Sequence, residues 1–157
     1  MKTLGSGLAL LIMTILMGTA AVAGDSPVKY NDLDYEETRV LLQKGTEAPF
    51  SGEYETNWSK GTYLCKRCNT PLYKSGAKFN ARCGWPSFDD NIEAAVKRTV
   101  DADGSRTEIT CANCGGHLGH VFLNEGFTPR NTRHCVNSVS MVFIAEGEEL
   151  PAVIEEK

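Results

Sequence analysis

Two Cys-x-x-Cys pairs, Cys65-Lys66-Arg67-Cys68 and Cys111-Ala112-Asn113-Cys114, restrict what this chain can fold into more than any other feature. Each follows a short strand-like run, and Gly115-Gly116 follows the second pair. Brought together, two such knuckles present four thiolates tetrahedrally, which suits zinc with bonds of about 2.3 Å to each sulfur. The glycines let the backbone turn tightly behind the ion. Two alternatives stand beside this one. An exported chain with an even number of cysteines often carries disulfides. A redox Cys-x-x-Cys of thioredoxin type would open a helix within a βαβ pattern, and none is visible. Two matched knuckles favour one structural zinc ion held by Cys65, Cys68, Cys111 and Cys114.

Of the six cysteines, Cys83 and Cys135 remain. Such a pair suggests a nucleophile with a resolving thiol, or else one structural disulfide. Cys135 follows Arg133-His134 at the mouth of an apolar run. A free thiol titrates at about 8.5, so only a small fraction is ionised near neutrality. Arg133 is always charged and His134 can be, and either would stabilise the anion by roughly 1.4 kcal/mol per pKa unit. The plain alternative is that Cys135 is a small buried hydrophobe. Cys83 opens Cys83-Gly84-Trp85-Pro86-Ser87-Phe88, a turn that displays a tryptophan. His117-Leu118-Gly119-His120 lies just after the second knuckle. Either histidine alone reads as a satisfied structural residue or a further metal ligand. Together, in a loop fixed by the metal site, they read as a proton-donating pair.

The 157 residues suit one domain with a real core. Met1-Lys2, the apolar run Leu8 to Met17 and Ala21-Val22-Ala23 fit a signal peptide over residues 1–23, with Gly24 opening the mature chain. The run is interrupted by Thr14 and Gly18 and falls short of the roughly 20 residues needed to span a bilayer. The expected address is the periplasm of a Gram-negative bacterium. A formal charge of −4 and the lack of a long basic run argue against nucleic acid as a partner and against stable membrane association after cleavage.

In the single domain, 24–157, Asn31 or Asp32 is expected to cap a short helix through Tyr35, Val40 and Leu41, with Gly45 beyond its end. Short strands follow. They are expected at Gly61 to Cys65, at Leu72-Tyr73 and Ala77 to Phe79 around Ser75-Gly76, and at Ala95 to Val100 and Arg106 to Cys111 around Asp101-Ala102-Asp103-Gly104. Gly119 to Leu123 and Cys135 to Ile144 supply two more. The tail from about Glu146 is acidic and expected to be loose. The fold class is mainly antiparallel β with a short N-terminal helix.

Several stretches carry a resemblance. They are Lys44-Gly45-Thr46-Glu47 with Pro49 to Tyr54, the two knuckles, Cys83 to Phe88, His117-Leu118-Gly119-His120-Val121-Phe122 and Arg133-His134-Cys135-Val136-Asn137-Ser138. In this order, the chain resembles the B-type methionine sulfoxide reductases over nearly all of its mature length. The resemblance implies two antiparallel sheets in a small tent-like arrangement, with zinc pinning two loops away from the catalytic cysteine. It implies reduction of the R epimer of methionine sulfoxide in oxidised proteins, with a thioredoxin-like reductant closing the cycle and the chain acting as a monomer. Cys135 is then the nucleophile and Cys83 the resolving cysteine. His117, His120, Arg133 and Asn137 line the polar side, and Trp85 and Phe122 form the substrate-binding surface. Two departures stand out: Asn124 where many relatives carry aspartate, and His134 where many carry tyrosine. A rival class, a non-catalytic zinc-knuckle binding module, would need the four knuckle cysteines but not Cys83, Cys135 and the histidine pair together.

Overall fold

The computed structural model describes residues 28–155. Residues 1–23, read as a signal peptide, lie outside them. Helix α1 (Tyr35–Leu41) begins at Asp34, where a capping box forms: the Glu37 amide donates to Asp34 Oδ1 at 2.8 Å and the Asp34 amide to Glu37 Oε2 at 2.9 Å. Asn31, expected as a cap, serves elsewhere. Its side-chain amide donates to Lys66 O at 2.8 Å and to Asn69 Oδ1 at 2.7 Å, bracing the first knuckle.

Two antiparallel sheets follow, as the resemblance implies. Strands β1 (Gly61–Cys65), β2 (Pro71–Lys74) and β9 (Met141–Ala145) form a three-stranded sheet in the order β2-β1-β9. The six-stranded sheet contains β3 (Lys78–Phe79), β4 (Ser87–Phe88), β5 (Val96–Val100), β6 (Thr107–Cys111), β7 (His117–Leu123) and β8 (Thr132–Val136), in the order β3-β4-β8-β7-β6-β5. Aromatic rings join the two sheets: Tyr73 stacks on Phe88 with centroids 4.4 Å apart, and Tyr63 meets Phe88 edge-on at 5.1 Å.

The run Cys135 to Ile144 is not one strand. β8 ends at Val136, a 3-10 turn occupies Ser138–Ser140, and β9 belongs to the other sheet. Polar groups break the strand. The buried Glu47 carboxylate accepts from the Ser138 amide at 2.7 Å, and Ser140 Oγ donates to His117 O at 2.9 Å. The acidic tail, expected to be loose, runs back to the knuckles: the Ile154 amide donates to Cys68 O at 2.9 Å, and Asn69 Nδ2 donates to Ala152 O at 2.9 Å.

The register of the larger sheet positions the site. Thr99, Glu108, His120, Cys135 and Ser87 are partners on one rung across β5, β6, β7, β8 and β4. Residues on one rung share a face, so a histidine and a carboxylate lie alongside Cys135. Gly119, at φ +149°, makes this approach possible, since a Cβ there would lie 2.0 Å from Cys135 O.

Alternation sends His134 the other way, into the core, where it is 0% exposed. Its Nε2 lies 2.7 Å from Arg98 Nη2, which can only donate, so Nε2 accepts and Nδ1–H donates to Tyr73 Oη at 3.0 Å. His134 therefore does not face the thiol beside it in sequence. Burial and the nearby Arg98 charge lower its pKa from 6.5 to about 4. The unfolded chain thus binds a proton that the folded chain refuses between those values. Stability is complete above pH 6.5 and falls as pH drops toward 4, by about 3 kcal/mol at most. Denaturant midpoints across this window are expected to decline less steeply in His134→Gln than in the native protein. Parallel profiles would contradict the assignment.

Candidate active site and metal centre

The two knuckles are built alike. The Cys65 amide donates to Thr70 O at 2.8 Å and the Asn69 amide to Cys65 O at 2.9 Å. In the second knuckle the Cys111 amide donates to Gly116 O and the Gly115 amide to Cys111 O, both at 2.9 Å. Asn69 and Gly115 hold the same left-handed position, φ +63° and +71°. Cys65 Sγ lies 3.6 Å from Cys114 Sγ, as does Cys68 Sγ from Cys111 Sγ, and all four sulfurs fall within 4.8 Å of one another. A tetrahedral thiolate centre with bonds of about 2.3 Å has edges of about 3.8 Å, so these four buried cysteines can hold a metal ion. None of them forms a disulfide.

Cys83 and Cys135 meet elsewhere, on the active face of the larger sheet, with sulfurs 3.9 Å apart. Cys83 rides on a loop pinned by the Phe50 amide, which donates to Gly84 O at 2.8 Å. Arg133 is two residues from Cys135 and shares its face. It donates to Cys83 Sγ at 3.6 Å through Nη1, to both Glu125 oxygens at 2.7 and 3.0 Å, and lies 4.3 Å over the Phe122 ring. The hydrogen bond from Cys135, with help from Ser87 and Arg133, outweighs burial and lowers the Cys83 thiol to about 5. The same contact and burial push the Cys135 thiol up. The two thiols, joined by one contact, titrate as a pair.

Beside Cys135 lies a cleft of about 120 Å³ lined by the rings of Trp85 and Phe122 and by the polar side chains of His120, Asn137 and Arg106. Trp85 is oriented by its indole N–H, which donates to Glu47 O at 3.0 Å. Asn137 is committed at both ends: Oδ1 accepts from the Glu47 amide at 2.9 Å and Nδ2 donates to Leu118 O at 3.0 Å. It locks the β8 exit to β7 while bordering the cleft. His117 is buried behind His120, with ring centroids 5.6 Å apart, and belongs to a neighbouring cleft with Lys44 and Glu108. Burial lowers its pKa, against the pull of Glu108, whose Oε1 is 2.7 Å from Nδ1.

Three acidic residues escape sequence reasoning. Glu108 bridges His117 and Lys44, the latter at 2.8 Å; Asp101 meets His120 Nε2 at 3.2 Å; Glu125 clamps Arg133. The carboxylates bonded to His117 and His120 come from the β5–β6 hairpin. Asn124 itself, at φ +63°, makes a turn.

Comparison with known proteins agrees with this geometry. Residues 33–145 match the SelR domain. Peptide methionine sulfoxide reductase B3, chloroplastic, of Oryza sativa is 56% identical over 118 residues, covering 74% of this chain and 52% of that protein, so the chain spans about half of that relative's length. Peptide methionine sulfoxide reductase B3 of Arabidopsis thaliana is 52% identical over 139 residues, covering 84% and 79%. Peptide methionine sulfoxide reductase B5 of Oryza sativa is 53% identical over 131 residues, covering 78% and 96%. These relatives overturn the Gram-negative periplasmic address expected from the first residues, because they are plant enzymes and some are named chloroplastic. With the match running from α1 to the end of β9 and taking in both knuckles and the cysteine pair, the chain belongs to the SelR-domain family, that of the B-type peptide methionine sulfoxide reductases.

Proposed function

We propose that this oxidoreductase reduces the R epimer of methionine sulfoxide in proteins, with Cys135 as nucleophile, Cys83 as resolving thiol and a thioredoxin-type dithiol as final donor. The observation that carries the reading is the 3.9 Å separation of the two sulfurs beside a cleft lined by both apolar rings and polar side chains. Loss of one proton to solvent gives the Cys135 thiolate, with the Arg133 guanidinium beside the pair. Cys135 attacks the sulfoxide sulfur. The substrate S–O bond breaks, an S–O bond to Cys135 forms, and the oxygen takes a proton from the histidine side. Methionine leaves, and Cys135 is a sulfenic acid. The Cys83 thiol condenses with it, releasing water and forming the disulfide, which the external dithiol reduces by exchange.

Chirality is read by the walls. Trp85 and Phe122 accept the methyl group but offer the oxygen no donor, whereas His120 does. With attack direction, methyl and oxygen each assigned a side, one configuration at sulfur fits. The role of Arg133 is to keep negative charge on the cysteine pair. We assign the four-sulfur centre to one zinc ion, which fixes the knuckle ends of β1 and β6 and supplies no reacting group. A non-catalytic knuckle module would leave the Cys83–Cys135 juxtaposition without a reason.

Dithiol-driven reduction of racemic methionine sulfoxide in a peptide should stop at half conversion with the S epimer left over. Cys135→Ser should be inactive. Cys83→Ser with a thioredoxin-type donor should yield roughly one methionine per protein molecule. Consumption of both epimers, or repeated turnover of Cys83→Ser with that donor, would refute the scheme. Mass spectrometry under native conditions should find one zinc per chain, and Cys65→Ser should lose it and lower Tm by roughly 10 °C or more. An unchanged Tm would remove the structural role.

A further inference from the structure

The histidine at the reacting centre is held from a hairpin that sequence reading treats only as a turn. Asp101 and Arg106 face each other across its tip, with the Asp101 amide donating to Arg106 O at 2.9 Å and the Gly104 amide to Asp101 O at 2.8 Å. Asp101 Oδ2 then lies 3.2 Å from His120 Nε2 and 3.5 Å from Arg106 Nε. The contact is sheltered, with the His120 and Asp101 side chains 15% and 19% exposed. The other titratable and charged groups around His120 are His117 on its own strand, Glu108 on β6, Cys135 on β8, and Arg106 and Lys44 at the clefts. Glu108 is engaged by His117 and Lys44. Among the described residues, Asp101 is the carboxylate bonded to His120.

We propose that Asp101 is a positioning residue for His120, holding the Nε2 proton so that Nδ1 is the nitrogen that gives its proton to the sulfoxide oxygen. This rests on the reductase reading above. An ionised carboxylate only accepts, so Nε2 carries hydrogen whenever the pair is made. A second proton can then reside only on Nδ1, and only that one can leave without breaking the contact. The logic is that of a histidine oriented by a buried acid, with the two ring nitrogens exchanged. In the reducing step the oxygen that moves from substrate to Cys135 takes the Nδ1 proton. His120 is left neutral, with Nε2–H still on Asp101, and is reloaded from solvent. Arg106 keeps the Asp101 carboxylate turned toward the sheet.

Ring nitrogen-15 spectra of the reduced, metal-loaded protein test this directly. Neutral His120 should be the Nε2-protonated tautomer in the native chain and a mixture in Asp101→Ala. Asp101→Ala should slow single-turnover reduction by about 10- to 100-fold, part of what a general acid contributes, with KM nearly unchanged. Asp101→Glu should recover some of the rate. In a His120→Gln background, adding Asp101→Ala should cost nothing more, because the carboxylate acts through the ring. Asp101→Asn, which preserves the shape of the hairpin, should show the same dependence on His120. An unaltered tautomer, or a full additional loss in the His120→Gln background, would overturn the proposal. A native protein that reduces no methionine sulfoxide would instead overturn the reductase reading, leaving the tautomer measurement to judge Asp101.

Discussion

The pairing of His120 with Cys135 across β7 and β8 is the contact on which the rest depends. Side chains alternate along a strand, so a slip of one residue would send Cys135 into the core and bring His134 to the cleft. Three devices hold the register. Gly119 lets β7 come against the Cys135 carbonyl. Asn137 ties the end of β8 to Leu118 O through both its backbone and its side-chain amide. Glu47 fastens the following turn through the Ser138 amide. Because Glu47 O also receives the Trp85 indole N–H, the segment that fixes the register orients the apolar wall of the cleft as well.

The electrostatics follow from that arrangement. Buried or half-buried charges are costly unless paired, and several beside the cleft are paired with groups of opposite sign or with histidine. Glu108 lies between Lys44 and His117, Asp101 between Arg106 and His120, and Glu125 grips Arg133 while Arg133 reaches toward Cys83. Glu125 therefore serves the thiol pair at one remove, by keeping the guanidinium extended beside it.

Much of the fold was legible because its signals are local. The knuckles announce themselves by spacing, the β5–β6 hairpin by Asp-Gly, and α1 by its apolar pair, although the choice between Asn31, Asp32 and Asp34 as cap depended on Asn31 being drawn away to Lys66 and Asn69. The division of Cys135 to Ile144 into two strands was not legible, because apolar residues continue across it. What ends β8 is a carboxylate at Glu47, far away in sequence. The separate fates of Arg133 and His134 were not legible, because the expected strand begins at Cys135; with β8 starting at Thr132, alternation puts Arg133 on the face of Cys135 and His134 on the opposite one. Asp101, Glu108 and Glu125 could not be singled out, since a carboxylate in a hairpin or loop is usually a solvated one.

The distance between the metal centre and the chemistry also has a physical sense. In the proposed cycle, joining Cys83 to Cys135 requires the two sulfurs to close from 3.9 Å to about 2.0 Å. Cys135 sits in the middle of a paired strand and has little freedom, so the movement falls to the Cys83 loop. That loop can yield locally only if the sheet behind it does not. The knuckles join the end of β1 in one sheet to the end of β6 in the other, and the tail and Asn31 are hydrogen-bonded onto them. On that reading the Cys83 loop rests on a frame held together on a different side, where the four knuckle sulfurs lie.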